Sequence, residues 1–447
     1  VAYEGWLQFG GVELINNSRV QAYAHGAGIA VLGSWPELPA SLGDAPYTDP
    51  VTDAAPWYDP SRVESAGFHG LLGLELVGAS AGTHTRAWTE LIADGGVPGG
   101  ARRASRELDV RAIAFATDRA SMSYGLSWLG SALRGSVCGT SCSGDELCVY
   151  AACPTRPGVS LDPCLPPVPD PTWHPVTGGD TAPGGDGLLR RLFGTALIDG
   201  PALTRLAPIA GGVAAQVRFT VRAGTPSWYG EPVFVIRGEG PTAPARPDVY
   251  HDTIIGYDPW GWQATCPTVT DCLSGDPFCV TTAAPPPLAP APQDPCFPRT
   301  TFTAGRSVFS IPRGTGADWL EKVPVVQVFT GGRAFKRLIL RWYDNPTGAP
   351  CGGDLDPCVA CAEIQVPWIP AGSLLTLDGR IARASLDCPG PGPALTAPRL
   401  YGPTGGTFTW PVFECSATLC CEVIGDLSGW ATDSWIEIHM ATRSDLI

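Results

Sequence analysis

Lysine is nearly missing from this chain: of its 29 basic residues only Lys322 and Lys336 are lysines, and arginine forms no run that would track a phosphate backbone. With a net charge of −14, sequence-specific nucleic-acid binding is not expected. No apolar run approaches the roughly 20 residues of a membrane-spanning helix, so membrane insertion is not expected either. The opening Val1-Ala2-Tyr3-Glu4 lacks the basic and apolar regions of a secretory signal, which points to synthesis in a cytosol. Asparagine occurs only at positions 16, 17 and 345. Scarce lysine and asparagine beside abundant arginine, alanine, glycine and proline are what a GC-rich genome produces. Histidine is sparse too, with six residues at 25, 69, 84, 174, 251 and 439, scattered rather than clustered. His251-Asp252 reads as a loop feature and not a dyad, and no carboxylate pair stands out. No catalytic residue, metal site or cofactor is assigned, and the chain is expected not to be an enzyme.

What is abundant is glycine, 55 residues, and proline, 46, in a chain of 447. Long loops must therefore alternate with short strands. The 15 Trp and 14 Phe supply the apolar surface that repays ordering such loops, so the chain should fold. The organising stretch is Arg106 to Gly135. Glu107 to Thr117 reads as a strand, and Asp118 is placed to cap what looks like the single well-formed helix, 118–134. Met122, Leu126, Leu129 and Leu133 share one face of it, which a β-sheet would cover, and Gly135 ends it.

Along the chain, Tyr3 to Ile15 predicts a hairpin about Gly10-Gly11, anchored by Trp6 and Phe9. Leu71–Val77 and Arg86–Ile92 read as strands either side of Gly78–Thr83, followed by a loop over Gly95–Ala101, and Glu146–Ala152 as another strand. Residues 154–187 form a Pro/Gly-rich arm. Gln216 to Arg222 alternates as a half-buried strand. Val325–Thr330 and Arg333–Tyr343 flank Gly331-Gly332, and Leu374–Leu377 and Arg380–Ala384 flank Asp378-Gly379, both hairpin signals. Trp435 to Ala441 alternates as a final strand. The fold class is mainly β. An α+β N-terminal domain comprises residues 1–153 and the closing strands 188–240, with the arm 154–187 between them. A Cys/Pro-rich insertion at 241–300 precedes a C-terminal β-sandwich at 301–447.

Sixteen cysteines form the loudest local signal: Cys138, Cys142, Cys148 and Cys153; Cys164; Cys266, Cys272, Cys279 and Cys296; Cys351, Cys358, Cys361 and Cys388; and Cys415, Cys420 and Cys421. Their even count and placement in loops favour disulfides that staple excursions without cores of their own. Zinc is the rival, since Cys358 and Cys361 have C-x-x-C spacing, and free buried thiols are the third option. Disulfides would place the mature protein outside a reducing cytosol, as a secreted protein or in a virus particle. Gly78-Ala79-Ser80-Ala81-Gly82 matches the G-x-S-x-G nucleophile elbow, but the strand expected after Ser80 is the return of a hairpin and not the helix an elbow needs. Trp260 and Trp262 in a Gly/Pro loop, and Trp410, are candidates for stacking on a sugar, against the plainer reading that such aromatics pin loops.

The order of pieces resembles a known family. Gly99-Gly100-Ala101-Arg102-Arg103 leads into the strand, the capped helix and a short strand near Leu147. Later come Val217-Arg218-Phe219-Thr220-Val221-Arg222 and the Pro226-Ser227-Trp228-Tyr229-Gly230 ending. This is similar to the ring-forming N-terminal domain of siphophage distal tail proteins. The whole chain, with Tyr3-Glu4-Gly5-Trp6 and its Cys-punctuated loops, resembles large minor tail proteins of actinobacteriophages. Ile369-Pro370-Ala371-Gly372 before Leu375-Thr376-Leu377-Asp378-Gly379 resembles the galectin-like sandwich of the same family. The resemblance covers most of the chain except 154–187 and 250–300. It implies a structural protein at the virion tail tip, forming a ring, hexameric in the family, that joins the tail tube to the hub. Its partners would be copies of itself, the tail tube protein, the hub and other minor tail proteins, and the tape measure protein. Residues 1–17 and the Pro-rich arms would clasp neighbours, and an acidic lumen would let DNA slide through. The alternative partner is a host-envelope glycan, bound by a carbohydrate-binding sandwich.

Overall fold

The computed structural model is described for residues 3–31, 38–42, 44–82, 84–90, 95–100, 102–135, 145–151, 188–241, 246–259, 301–314, 320–389, 395–396, 398–403, 407–414 and 417–446. It is mainly β, and the chain divides into two units, Val1–Glu231 with Thr442–Ile447, and Pro232–Ala441. The expected boundary at 240 therefore lies earlier. The strands Val233–Glu239 and Val249–Tyr257 belong to the second unit because they complete its two sheets.

In the first unit the chain runs β1 (Tyr3–Phe9), β2 (Val12–Asn16), α1 (Asn17–Gly26), α2 (Leu38–Ser41), α3 (Val63–Ala66) and β3 (Phe68–Val77). It continues through β4 (His84–Thr85), β5 (Trp88–Glu90), β6 (Gly96–Pro98), β7 (Arg102–Arg103), β8 (Arg106–Ala116) and α4 (Arg119–Ala132). The last strands are β9 (Asp145–Tyr150), β10 (Leu189–Ile209), β11 (Gly212–Ala223) and β12 (Trp228–Tyr229). Neighbour follows neighbour in the order β11-β8-β3-β2-β1-β9-β10, and β10 pairs back onto β11, so the sheet closes into a barrel. Every pairing in it is antiparallel except β2 with β3, whose connection is long enough to cross over. Interior positions alternate as the pleat demands: Leu108, Val110, Ala112 and Ala114 on β8 face Ala215, Val217, Phe219 and Val221 on β11 in one core.

The α4 helix starts as its sequence dictates, with Asp118 accepting from the N–H groups of Ala120 at 2.8 Å and Ser121 at 2.9 Å. Met122, Leu129 and Leu133 are buried and Leu126 packs against the same core, but the helix meets β2, β3, β8, β10 and β11. The sheet expected to cover its face is closed into a barrel, which the helix plugs. Gly125 allows this approach, since a Cβ there would lie 2.2 Å from the Phe68 ring. Nor is α4 the single well-formed helix. In α1, ten residues long, Asn16 caps the N–H of Arg19, and Val20, Tyr23 and Ala24 are buried. Only those few apolar positions mark it, which is why the sequence pattern passes over it. Of residues 1–17, expected as a clasp, the described Tyr3–Phe9 and Val12–Asn16 are instead barrel strands, because Trp6, Leu7, Phe9, Leu14 and Ile15 bury into their own unit.

The second unit contains β13 (Val233–Glu239), β14 (Val249–Tyr257), β15 (Phe302–Ile311), β16 (Glu321–Phe329), β17 (Phe335–Asp344) and β18 (Ala362–Ile369). Then come β19 (Leu374–Asp378), β20 (Arg383–Asp387), β21 (Leu395–Thr396), β22 (Phe413–Glu414), β23 (Leu419–Asp426) and β24 (Trp435–Ser444), whose residues from Thr442 onward count with the first unit. One sheet runs β14-β15-β23-β17-β18 and the other joins β13, β24, β16, β19, β20 and β21, with β22 on β16. Their inner faces share one core, Leu338, Leu340, Trp342 and Val423 meeting Val326, Leu375, Ile436 and Ile438, so this unit is a β-sandwich. Asp378-Gly379 does begin a hairpin, with Gly379–Ala382 as its loop because Asp378 pairs with Arg383. Gly331-Gly332 does not. β16 pairs with β19 and β17 with β18 and β23, so the diglycine carries the chain from one sheet to the other.

Candidate assembly surface

The organising feature of the first unit's surface is the excursion between β3 and β8. The expected partner of β3 was the Arg86–Ile92 strand, but Val77 pairs with Asp109 on β8. The intervening segment instead pairs with itself, β4 with β7 and β5 with β6, as a narrow hairpin arm. The described residues 84–90 are all exposed, Trp88 at 64%, and Val97 on β6 is 51% exposed.

The arm's root is built around Arg106, which is 2% exposed. Its guanidinium donates to the carbonyls of Gly78 at 2.8 Å, Ala79 at 3.0 Å, Ala81 at 2.8 Å and Pro226 at 3.0 Å, and to that of Asp445. Trp228 donates its indole N–H to Ala79 at 2.9 Å, and the Arg106 cation lies 5.6 Å from the Trp228 ring. Burial pulls the Arg106 pKa below its ordinary value, with Asp445 opposing. Gly78 has φ +93°, and a Cβ there would stand 2.1 Å from the Glu107 carbonyl, so only glycine lets the turn close. The G-x-S-x-G match is thus a turn whose carbonyls wrap an arginine. Ser80 is exposed on it. His84 has Nδ1 3.0 Å from Asp445 and Nε2 3.3 Å from Arg103, so neither ring nitrogen is available to Ser80 as a base.

The other candidate residues are dispersed. His251 and Asp252 are strand neighbours on β14 facing opposite ways: His251 Nδ1 lies 2.9 Å from Ser307, and Asp252 accepts from Arg306 at 2.8 Å. The expected loop pair is therefore a strand pair, separated by the pleat. His69 is buried and neither of its ring nitrogens has a described partner, so burial holds its pKa down to about 4. Above about pH 6.5 this histidine is neutral in folded and unfolded chains alike. As pH falls towards 4 the unfolded chain takes up a proton that the folded one refuses, and about 3 kcal/mol of stability should be lost. His69→Leu should flatten that fall, read as the difference between the two chains' urea stabilities at pH 7 and pH 4. An equal fall in both would show that His69 is not responsible.

Among the described cysteines, Cys351 and Cys420 form a disulfide with Cα atoms 5.8 Å apart, and Cys358 is also disulfide-bonded. Cys148, Cys361, Cys388 and Cys421 are free thiols, so the disulfide expectation does not extend to them. Cys421 points into the sandwich core, opposite Cys420, because successive strand residues face opposite ways. Cys148 is packed beside Trp6 and Tyr150, and burial pushes its thiol pKa up. Cys138, Cys142, Cys153, Cys164, Cys266, Cys272, Cys279, Cys296 and Cys415 lie outside the described residues, as do Trp260, Trp262, His174 and both Pro-rich stretches. Among the described residues no three His, Cys, Asp or Glu side chains are grouped to hold a metal.

The sequence did not single out a charge ladder across the outer face of the five-stranded sheet. Asp252, Arg306, Glu422, Arg341 and Glu363 come from β14, β15, β23, β17 and β18 in that order. Arg306 reaches Asp252 at 2.8 Å and Glu422 at 3.3 Å, while Arg341 lies 3.5 Å from Glu422 and donates to Glu363. Arg341 also donates to the Tyr257 hydroxyl at 2.9 Å, and the Tyr343 hydroxyl donates to Glu422 at 2.9 Å. A lone charge inside each apolar run, as in Leu338-Ile339-Leu340-Arg341-Trp342, was the available signal.

Fold and surface together define a two-unit, mainly-β protein with an extended arm and no assembled catalytic group among its described residues. No protein-family model matches the chain, and no curated protein does. Among solved structures it is similar to the Dit (gp 19.1) protein of SPP1, described as a paradigm of the hub adsorption apparatus in phages infecting Gram-positive hosts. That likeness has 9% identity and a TM-score of 0.35, over 84% of this chain and 94% of that one. A second likeness is to the phage P2 baseplate in its activated conformation with Ca, at 8% identity and a TM-score of 0.36, over 87% of this chain and 94% of that one.

Proposed function

We propose that this chain is a non-enzymatic structural protein of the tail tip of a long-tailed actinobacteriophage, one that assembles into a closed ring joining tail tube and hub. The hairpin arm carries the reading. A two-stranded ribbon gains little by itself in water, yet this one holds Trp88 and Val97 out from a root fixed by a buried arginine. Such a ribbon gains burial on a neighbouring molecule. Charge favours a second copy: residues 84–103 carry Arg86, Arg102 and Arg103 against Glu90 and Asp94, while the whole chain is −14. An arm that docks on a different surface of the next copy makes a head-to-tail contact, and head-to-tail contacts that close give rings. The sequence resemblance to distal tail proteins supplies the place in the particle.

Negative-stain imaging and sedimentation of the full chain should show closed rings. Trp88→Asp should weaken self-association on the order of a hundredfold while leaving the thermal midpoint of the dissociated chain unchanged, since Trp88 is 64% exposed and belongs to no core cluster. A monomer at every concentration, together with absence from purified virions, would overturn the proposal.

A further inference from the structure

We infer that Asp445 is a latch that holds the arm in one pose on the first unit. The arm's own ladder at its foot is short: β4 and β7 pair over two residues each, His84 with Arg103 and Thr85 with Arg102. A ribbon of that length does not keep its direction by itself in water. Asp445 follows β24, whose Arg443 and Ser444 pair with Tyr229 and Trp228 on β12, so it stands on a fixed backbone. Its carboxylate reaches both strands of the foot. Oδ2 lies 3.0 Å from His84 Nδ1 on β4, and Oδ1 lies 3.5 Å from Arg103 Nε on β7. Oδ1 also accepts from the hydroxyl of Ser227 at 3.2 Å, and Ser227 is fully buried.

These contacts form a chain. Arg103 donates its Nε–H to His84 Nε2 at 3.3 Å, which leaves the ring proton on Nδ1, facing Asp445. Guanidinium, imidazole and carboxylate thus tie both strands of the arm to the shelf at Ser227. Arg106 does different work: it closes the turn from which the arm leaves, whereas Asp445 touches the arm itself. A held arm has less freedom to lose on docking than a swinging one. Asp445 is accordingly a positioning residue. That consequence rests on the reading that the arm docks on a second copy; the latch itself does not.

Hydrogen exchange of the full chain, diluted until its copies are dissociated, reads the latch alone. Asp445→Asn removes the charge and keeps both the shape and the carbonyl that Arg106 uses. The amides of β4 and β7 should then exchange about fivefold faster, while those of β8 and β11 keep their wild-type rates. His84→Ala breaks the same contact from the other side, at a half-exposed side chain that belongs to no core cluster, and should have the same effect without risk to the fold. The double variant should add little to either change alone, because both remove one contact. Asp445→Glu, which keeps the charge, should fall between wild type and Asp445→Asn. Sedimentation then tests the consequence, with self-association of Asp445→Asn weakened several-fold. A freed arm with wild-type association would leave the latch standing and remove the docking reading. Wild-type exchange of the arm in both single variants, or effects of the two that simply add, would overturn the inference. Should Asp445→Asn fail to fold, His84→Ala decides alone, and unchanged arm exchange in it overturns the latch.

Discussion

Arg341→Met should destabilise the sandwich unit by about 3–5 kcal/mol, the cost of leaving buried charge without its partner. Arg341 is fully buried and lies between Glu363 and Glu422, both of them at most 5% exposed. Burial by itself would lower the arginine's pKa, but the surrounding carboxylates and Tyr257 more than reverse this, and the net direction is upward. Methionine fills similar space and supplies no charge, so Glu363 would lose its ion-pair partner or take up a proton, while Glu422 would be left with Arg306 alone. Adding Glu363→Gln to Arg341→Met removes the charge left without an ion-pair partner and should recover much of the loss. The measurement is hydrogen exchange of the β17 and β23 amides, which reads this unit alone in a chain whose two units need not unfold together. A single-variant loss below about 1 kcal/mol would show that water or rearrangement already compensates the ladder.

The second large effect is expected at the root of the arm. Arg106 satisfies five carbonyls that converge from the Gly78–Ala81 turn, Pro226 and Asp445. Arg106→Met would remove the donor from all five, although Ala79 keeps the Trp228 N–H and the other four are only partly buried, and a loss of about 2–3 kcal/mol is expected because hydrogen bonds to a charged donor are worth more than neutral ones. Arg106→Lys is the sharper experiment. An ammonium keeps the charge but not the planar fork, so it cannot reach carbonyls on three separate segments at once. Lysine should keep the barrel folded and free the arm, seen as faster proteolysis within 84–103 and as weaker self-association. A lysine variant that assembles like the wild type would separate the root from assembly and confine Arg106 to stability.

Much of this molecule was legible from local pattern. Asp118 and the spacing from Met122 to Leu133 announce α4, the alternation from Val217 to Arg222 announces β11, and Gly10-Gly11 announces the first hairpin. Each involves residues within a few positions of one another, where sterics and pleat act directly. The misreadings share a different cause. Gly78–Thr83 and Gly331-Gly332 look like hairpin turns, but whether the flanking strands pair depends on partners elsewhere, Asp109 for Val77 and the β18 and β23 strands for β17. In α1 the marking is thin because a helix held by Asn16, Arg19 and three apolar contacts needs no long apolar stripe. Ser80 drew attention through a pattern of small residues, whereas the residue that gives the turn its purpose, Arg106, lies on another strand.

The sequence by itself determined the class, mainly β with a capped helix and a sandwich, and the absence of any clustered motif for catalysis. Only the tertiary structure decided that the first sheet closes into a barrel plugged by α4, that the strands β4 to β7 stand out as an arm, that five charges align across five strands, and that Trp410 shares a cleft with Asp344 and Glu414. The reason is range. Backbone preference and side-chain period act between near neighbours and are written in order along the chain, while strand pairing, burial of charge and the shape of a surface arise from residues brought together across hundreds of positions.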